Sequence, residues 1–448
     1  MKRLLIANRG EIACRIIRTA KDLGIQSISV FSEKDSGALH VELADEAYFI
    51  GAAPASESYL NAEKIIQVAI ESKVDAVHPG YGFLSENAEF AQQVVDNNLI
   101  WVGPCPQTIM RMGNKKLARD IAEEIGVPVL PSISIEDVTN SEKLKEKVLQ
   151  IGFPFLIKAA GGGGGIGMNV VHDFEKLESQ IQKTADLAKR MFSDATVYLE
   201  KYLQKARHIE IQIFGFGDGE VVHLFERDCS TQRRFQKIIE ESPAPNIPQC
   251  VLDNMAEKAC QVAASENYAG AGTIEFILDV NTNEFFFLEM NTRIQVEHPV
   301  TEVLTGVDLV KCQILQAAGE EITHEFEHIE KNGTAIEVRI YAENPKKRFL
   351  PSPGILTQFS MPRVTDIRFD SGYRSGDEVT PFYDPLLAKL IAKGKNRRES
   401  IDKLKEALKL LVIEGPANNT VFLNEILSSE NFQKGNVYTE FIDDFLRK

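Results

Sequence analysis

The sequence predicts a multidomain protein that combines α/β and α+β architecture. Its 448 residues suggest about three domains, since a domain commonly contains roughly 150 residues. Hydrophobic residues make up 44% of the chain and charged residues 26%, which is typical of a globular protein and excludes a disordered chain or a fibre. Strand-like and helix-like patterns alternate over the first hundred residues. The pattern of predicted strands and helices changes in the middle of the chain and again near residue 331.

The N-terminal part alternates short strands with helices. Residues 4–7 and 27–31 are strand-like, and apolar residues at helical spacing lie between them. Residues 61–73 and 87–97 are helix-like, and each leads to another short apolar strand. This rhythm predicts an open parallel sheet of the Rossmann-like type. The turn over residues 8–11 lacks the G-x-G-x-x-G pattern, so a dinucleotide cofactor is not expected.

The middle of the chain contains a glycine run that directly follows a strand. Residues 153–160 form the predicted strand, and glycines occupy positions 161–165 and 167. Backbone N–H groups of glycines can approach an anion closely, and Lys158 could neutralise the same anion. No Walker sequence follows, and a flexible linker is the alternative interpretation.

A predicted β-hairpin carries two opposed carboxylates. Its strands cover residues 273–280 and 284–290, and centring the hairpin on Thr282 places Glu275 opposite Glu289. Carboxylates that face each other across paired strands repel, and a cation between them removes the penalty. Oxygen ligands suit Mg²⁺, so the pair predicts a metal site. A solvated polar face is the alternative.

Beyond the hairpin, polar and apolar residues alternate. If the chain stays extended, five polar side chains line one face. They are Glu289, Asn291, Arg293, Gln295 and Glu297. Arginine suits bidentate binding of a planar oxyanion, and a carboxylate two residues beyond Gln295 could act as a general base. The row therefore predicts an anion-activating site, with a structural salt bridge between Arg293 and Glu297 as the alternative.

Charge and cysteine content limit the class of protein further. Lys and Arg total 50 and Asp and Glu total 65, so the net charge is −15 and nucleic acid binding is not expected. Residues 226–237 concentrate four basic residues and could hold an anionic substrate, although a solvated loop is the alternative. The six scattered cysteines predict a reduced, cytoplasmic protein. No run approaches the roughly 18 apolar residues of a membrane helix.

Several long motifs together resemble the biotin carboxylase family of ATP-grasp ligases. They are residues 6–13 (IANRGEIA), residues 78–87 (HPGYGFLSEN), Lys158 with its glycine run, residues 289–302 (EMNTRIQVEHPVTE), residues 349–354 (FLPSPG) and residues 383–385 (YDP). The resemblance covers essentially the whole chain.

The resemblance implies three domains. An N-terminal biotin carboxylase domain would cover residues 1–113, and an ATP-grasp domain would cover residues 114–320 with a mobile lid at about residues 130–202. A C-terminal biotin carboxylase domain would cover residues 331–445, where short strands precede an amphipathic helix.

The resemblance also implies that ATP activates bicarbonate as carboxyphosphate, from which carbon dioxide passes to N1 of biotin. The residues expected to contact the nucleotide are Lys116, Lys158, Gly163, Gly164, Gly165, Glu200, Lys201, Leu203, His208 and Gln232. Those expected to hold two Mg²⁺ or Mn²⁺ ions are Glu275, Glu289 and Asn291. Those expected to bind bicarbonate are Arg293, Gln295 and the backbone of Val296. Those expected to act in catalysis are Arg293, Glu297 as the base, Lys237 on the phosphorylated intermediate and Arg339 on the biotin enolate. Arg339 would also contact biotin, together with Tyr81 and Gly82.

Three departures from the family pattern concern the nucleotide end of the site and a C-terminal segment. Ile166 stands where many members have Arg, and Phe235 stands where most have His. Residues 414–419 differ from the commoner Gly-x-x-Thr-Asn. None of these is a metal or bicarbonate position, so we expect altered nucleotide contacts in an active enzyme.

The resemblance implies partners as well. No Met-Lys-Met biotinylation motif occurs and the chain ends soon after the third domain, so biotin is expected in trans on a biotin carboxyl carrier protein. Carboxyltransferase subunits and a homodimer are also expected. Acetyl-CoA carboxylase, in fatty acid biosynthesis, is the predicted system. The alternatives are a carboxylase for another acyl-CoA or urea, a different ATP-grasp ligase that joins an amine to a carboxylate, and a non-catalytic nucleotide-binding subunit.

Overall fold

The N-terminal sheet contains five parallel strands in the order β3-β2-β1-β4-β5. The strands are β1 (Arg3–Ile6), β2 (Gln26–Ser32), β3 (Glu46–Gly51), β4 (Ala76–His78) and β5 (Ile100–Trp101). The helices of this region are Gly10–Asp22, Leu39–Leu43, Ala62–Glu71, Ala88–Asp96 and Pro106–Gly113. Asn61 and Asn87 begin two of these helices by accepting a backbone hydrogen bond from Lys64 and Phe90. The predicted open parallel sheet is confirmed.

In this computed structural model the described residues are 1–134, 144, 146, 148–149, 151–159, 169–192, 196–361 and 364–447. The predicted glycine run and Ile166 lie outside them. Among the described residues, no helix is both long enough and apolar enough to cross a membrane.

A large antiparallel sheet of eight strands joins the middle of the chain to its C-terminal part, in the order β14-β13-β10-β11-β12-β15-β22-β20. Its strands are β10 (Ala206–Phe216), β11 (Val221–Arg233), β12 (Gln236–Ser242), β13 (Ala269–Asp279), β14 (Phe285–Asn291), β15 (Thr334–Tyr341), β20 (Ile367–Ser371) and β22 (Leu386–Gly394). The pairing of β12 with β15 carries the sheet across the predicted domain boundary.

A separate four-stranded antiparallel sheet, in the order β6-β9-β7-β8, lies within the predicted lid. Its strands are β6 (Ser132–Ser134), β7 (Phe155–Ala159), β8 (Asn169–Val171) and β9 (Val197–Lys201), and the helix Leu177–Phe192 packs on them. The buried apolar residues of this segment, from Ile133 to Leu199, form a core of their own.

The remaining helices cover the large sheet and fill the C-terminal part. They are Lys115–Glu124, Gln249–Ser265, His298–Thr305, Leu309–Ala317, Arg397–Leu410, Thr420–Ser428, Glu430–Gln433 and Phe441–Arg447. The short strands are β16 (Glu343–Asn344), β17 (Leu350–Pro351), β18 (Gly354–Ile355), β19 (Gln358–Ser360), β21 (Glu378–Val379) and β23 (Val412–Glu414). The predicted amphipathic helix buries Ile401, Leu404 and Leu408 in the C-terminal core.

Candidate active site

A cavity of about 1260 Å³ is lined by all three sheet regions. Its walls come from the carboxyl end of the N-terminal sheet, one face of the large sheet and the inner face of the four-stranded sheet. Sixteen of the predicted site residues line it: Tyr81, Gly82, Lys158, Glu200, Lys201, Leu203, His208, Gln232, Lys237, Glu275, Glu289, Asn291, Arg293, Gln295, Val296 and Arg339. The structure therefore brings together residues that are far apart in sequence.

The other predicted site residues are placed differently. Gly163, Gly164 and Gly165 lie outside the described residues. Glu297 is fully buried behind the cavity wall. Lys116 is exposed and does not line the cavity.

Lys115, the neighbour of Lys116, lines the cavity. Its Nζ lies 3.1 Å from Glu289 Oε2, and the Glu289 carboxylate raises the pKa of Lys115. Neighbouring residues of a helix point about 100° apart, so only one of the two lysines can face the cavity. Ala118 and Ala122, three and seven residues beyond Lys115, are buried, so Lys115 lies on the inward face of its helix.

The hairpin of β13 and β14 pairs Glu275 with Glu289, as predicted. Nearer the turn, however, Phe276 pairs with Phe287, so Leu288 is an extra residue in the manner of a β-bulge. Centring on Thr282 gives the correct carboxylate pair because the bulge shifts the register before the turn.

The acidic pair continues across the sheet. Glu210 on β10 lies directly opposite Glu275 on β13, and Arg227 on β11 lies opposite Glu210. Four adjacent strands thus carry Glu289, Glu275, Glu210 and Arg227 in one row. Glu210 is fully buried, and Arg227 Nε contacts its Oε1 at 2.5 Å. Glu210 can be found from the sequence, because His208, Glu210 and Gln212 alternate with isoleucines on β10.

Lys237 lies among three carboxylates. Its Nζ is 2.7 Å from Glu210 Oε2, 2.9 Å from Glu275 Oε1 and 2.7 Å from Glu297 Oε1. Burial alone would lower the pKa of Lys237, but these carboxylates raise it well above its ordinary value. The ammonium is therefore a fixed positive charge at the cavity wall.

Glu275 is held by cations and amides at once. His208 Nε2 lies 2.9 Å from its Oε2, while Asn291 Nδ2 and Gln295 Nε2 donate to its Oε1 at 3.0 and 3.2 Å. Burial would raise the pKa of Glu275, but Lys237 and His208 lower it below its usual range. Glu275, Glu289 and Asn291 together offer two charged carboxylates and an amide oxygen, a donor set that fits Mg²⁺ or Mn²⁺.

The chain does not stay extended as far as Glu297, so the condition for five side chains on one strand face is not met. Strand β14 ends at Asn291, and Glu297 directly precedes the helix His298–Thr305. The side chains still converge, because Arg293 donates to Asn291 Oδ1 and Gln295 Oε1, each at 2.9 Å. Pro299 lies in the first turn of that helix, where a backbone N–H has no partner within the helix and its absence costs little. The proline therefore marks the start of the helix and the end of the extended segment.

Arg293 and Glu297 have different ion-pair partners. Arg293 Nε lies 2.9 Å from Glu86 Oε2 of the N-terminal domain. Glu297 Oε1 contacts Lys237, and its Oε2 lies 2.8 Å from Arg339 Nη2. The structure therefore does not contain the alternative salt bridge between Arg293 and Glu297. Although burial would raise the pKa of Glu297, Lys237 and Arg339 lower it well below its ordinary value.

The opposite end of the cavity lies against the four-stranded sheet. Lys158 on β7 is paired with Glu200 on β9, and Leu203 follows β9 at the wall. The Lys201 ammonium points to the main chain instead, since its Nζ donates to the carbonyl oxygens of Gly152 and Phe153 at 2.7 and 3.0 Å. Lys201 therefore offers the cavity its backbone and its aliphatic stem.

Family comparisons agree over the whole chain. The model described as "Biotin carboxylase, N-terminal domain" matches residues 1–109, and "Biotin carboxylase C-terminal domain" matches residues 337–444. Between them, "Carbamoyl-phosphate synthase L chain, ATP binding domain" matches residues 114–325. Biotin carboxylase 2 of Bacillus subtilis (strain 168) is 48% identical over 99% of this chain and 99% of its own length. The chain belongs to the biotin carboxylase family.

Other relatives have the same ligase region in different proteins. The mitochondrial methylcrotonoyl-CoA carboxylase subunit alpha of Rattus norvegicus is 47% identical over 98% of this chain, which spans 61% of that protein. The biotin carboxylase domain dimer of Hydrogenobacter thermophilus 2-oxoglutarate carboxylase, solved with MgADP, ADP and bicarbonate, has a TM-score of 0.95. It is 40% identical, and the match covers 100% of this chain and 98% of that one.

Phe235, a departure from the family pattern, lies at a strained turn beside the cavity. Arg234 and Phe235 join β11 to β12 in a two-residue turn, with φ angles of +49° and +66°. Such turns favour Asn and Gly, because other side chains adopt positive φ at a cost. Phe235 is 44% exposed and lines the cavity, so its ring is open to a ligand there.

Proposed function

We propose that this biotin carboxylase uses ATP and bicarbonate to carboxylate biotin through carboxyphosphate. The observation that carries the proposal is the charge arrangement at one cavity wall. Lys237 and Arg339 flank the buried Glu297, and Arg293 with Gln295 lies beside the acidic hairpin pair. Bound MgADP and bicarbonate in the Hydrogenobacter thermophilus neighbour support the same ligands here.

Bicarbonate would lie between Arg293, Gln295 and the backbone of Val296. The Arg293 guanidinium is already oriented by Asn291 and Gln295, so little side-chain entropy is lost when the anion binds. Glu297 would take the bicarbonate proton, since its carboxylate contacts Lys237 and Arg339, which line the cavity beside Gln295. Lys237 would stabilise the phosphorylated intermediate, and Arg339 the enolate of biotin beside Tyr81 and Gly82.

ATP would occupy the part of the cavity between Lys115, Lys158 and the residues that follow β9. Mg²⁺ or Mn²⁺ ions held by Glu275, Glu289 and Asn291 would neutralise phosphate charge during transfer. Lys115 and Lys237 now neutralise the carboxylates of the hairpin pair. Phosphate groups would give both lysines new anionic partners and free the carboxylates for the metal ions. The predicted lid over residues 130–202, including Gly163, Gly164 and Gly165, would cover the nucleotide.

We propose acetyl-CoA carboxylase as the system this chain serves, with biotin on a separate carrier protein and with carboxyltransferase subunits. We also propose a homodimer, which the dimer of the Hydrogenobacter thermophilus relative supports, and a cytoplasmic location. Relatives belong to methylcrotonoyl-CoA and 2-oxoglutarate carboxylases, so the acceptor is the part that most needs a test. Capture of the biotinylated partner from the native host, followed by assay of its carboxyltransferase, identifies the acceptor.

The reaction is tested by ADP release from the purified chain with Mg²⁺, ATP and free biotin. We expect ADP release that requires bicarbonate and increases with biotin. This release should be lost when the metal is chelated. ADP release that ignores bicarbonate but depends on an added amine or carboxylate would indicate a different ATP-grasp ligase. ATP binding without turnover under all these conditions would indicate a non-catalytic subunit.

A further inference from the structure

A fully buried lysine, Lys389 of β22, lies directly behind the proposed bicarbonate subsite. Its Nζ donates to the carbonyl oxygen of Val296 at 2.8 Å and lies 2.9 Å from Glu11 Oε1. Val296 belongs to the segment between β14 and the helix His298–Thr305, and Glu11 belongs to the helix Gly10–Asp22. One ammonium group therefore joins the N-terminal, central and C-terminal parts of the chain at the cavity.

The contact with Val296 controls the orientation of a peptide group. Strand pairing stops at Asn291, so no ladder holds the segment that follows. Two carbonyl groups of this segment are held from behind instead. His298 Nδ1 lies 2.7 Å from the Gln295 oxygen, and Lys389 binds the Val296 oxygen. The first contact fixes the plane of the Val296 N–H, and the second fixes the peptide that leads into Glu297.

Lys389 acts beside a second cation from the neighbouring strand. Arg339 on β15 lies directly opposite Lys389 on β22. Arg339 contacts the side chain of Glu297, while Lys389 contacts the carbonyl of the preceding residue, Val296. Two adjacent strands thus deliver two positive charges to two consecutive residues of the proposed bicarbonate and base site.

Glu11 extends the contact to the opposite wall. Its Oε1 accepts hydrogen bonds from Lys389 and from the Tyr81 hydroxyl, and Tyr81 lines the cavity. Burial and the Glu11 carboxylate raise the pKa of Tyr81 well above its usual value. The hydroxyl therefore stays protonated and donates a hydrogen bond to Glu11. The chain of contacts Tyr81, Glu11, Lys389, Val296 links the wall expected to border biotin with the segment expected to bind bicarbonate.

A buried ion pair is a poor means of stabilising a fold, since apolar residues of similar volume often stabilise it equally well. We infer that Lys389 is a positioning residue for the bicarbonate subsite, acting through the Val296 carbonyl without touching the substrate. The inference rests on the proposed function. Its alternative is that Lys389 only neutralises Glu11.

The test compares two variants by steady-state kinetics. Lys389→Met keeps the length of the side chain and removes the donor. We expect its KM for bicarbonate to rise at least about tenfold, equivalent to ~1.4 kcal/mol, while its KM for ATP stays within about twofold. Arg368→Met is the matched control. Arg368 also connects the C-terminal part to the central part, 2.6 Å from Glu302, and neither residue lines the cavity. We expect this control to keep the wild-type KM for bicarbonate.

The double variant Glu11→Gln/Lys389→Met separates positioning from charge neutralisation. It removes the carboxylate that Lys389 contacts together with the ammonium, so its melting temperature should lie closer to that of the wild type than the melting temperature of the single variant does. A bicarbonate KM that stays raised in the double variant supports the inference. A wild-type bicarbonate KM in either variant overturns it, since the Val296 carbonyl would then need no donor. If the wild type itself releases no ADP in response to bicarbonate, the proposed function fails first and the inference fails with it.

Discussion

Replacing Glu297 by glutamine tests the base while keeping the shape of the side chain. In the wild type, the carboxylate contacts Lys237 and Arg339 and is fully buried. Glu297→Gln leaves Lys237 two carboxylates and leaves Arg339 the carboxylate of Glu240, 2.6 Å away. The amide oxygen can still accept from one cation, so about one charged hydrogen bond is lost, a stability cost of roughly 2 kcal/mol.

Loss of a general base is expected to raise the activation free energy by more than this loss of stability. Turnover should fall about 10²- to 10⁴-fold, which corresponds to ~2.7 to 5.5 kcal/mol of activation free energy. The assay is bicarbonate-dependent ADP release, measured with ATP affinity and melting temperature on the same protein. Glu226→Gln is the matched control, because Glu226 is also buried and paired with a lysine, Lys331, away from the cavity. It should lose stability and keep turnover.

The stability of Glu297→Gln should also depend on pH differently from that of the wild type. The folded-state pKa of Glu297 is depressed, so the stabilising contribution of its charge is present above about pH 4.5 and is lost as the pH falls. Glu297→Gln should therefore reduce the loss of melting temperature between neutral and acidic pH. Turnover within a few-fold of wild type at neutral pH would refute Glu297 as the base, whatever happens to stability.

Three further predictions concern the metal pair, the lid and the turn. Glu289→Gln should lower ATP turnover at least about a hundredfold, ~2.7 kcal/mol, because it removes a charged metal ligand, and normal turnover with unchanged Mg²⁺ dependence would contradict the metal assignment. Hydrogen exchange across residues 130–202 should slow when ATP binds, since the lid would order over the phosphates, and equal exchange with and without saturating nucleotide would count against closure. Phe235→Gly should raise stability by about 1 kcal/mol in a denaturant titration, because it relieves the positive φ, and should weaken ATP binding if the ring contacts the nucleotide; unchanged stability would show that the turn is unstrained.

The spacing of neighbouring residues correctly predicted several elements of this protein. The alternation of strands and helices, the helices that begin at asparagine and the opposition of Glu275 and Glu289 all follow from short stretches of sequence. Alternation of polar and apolar residues beyond Asn291 does not show where strand pairing ends. The side chains nevertheless converge, since Arg293 bridges Asn291 and Gln295.

Contacts between distant segments could not be predicted in this way. Alternation on β10 shows that Glu210 shares a face with His208, but it does not show that Lys237 and Arg227 are the partners. Lys389 lies in an apolar strand where nothing in the sequence identifies Val296 or Glu11 as its neighbours. Such partners follow from the pairing of whole strands, which is a property of the complete sheet.

The pairing of β12 with β15 has a consequence for dividing or recombining this enzyme. Ile238 and Ile239 of β12 belong to the same apolar core as the C-terminal residues from Ile336 to Ile442. A fragment that starts near residue 331 would expose the unpaired edge of β15 and lack part of its core, which favours aggregation over folding. A chimaera that takes its C-terminal region from a relative should therefore take β12 from the same parent. The segment that must be exchanged as a whole therefore begins at β12, almost a hundred residues before the predicted start of the C-terminal domain at residue 331.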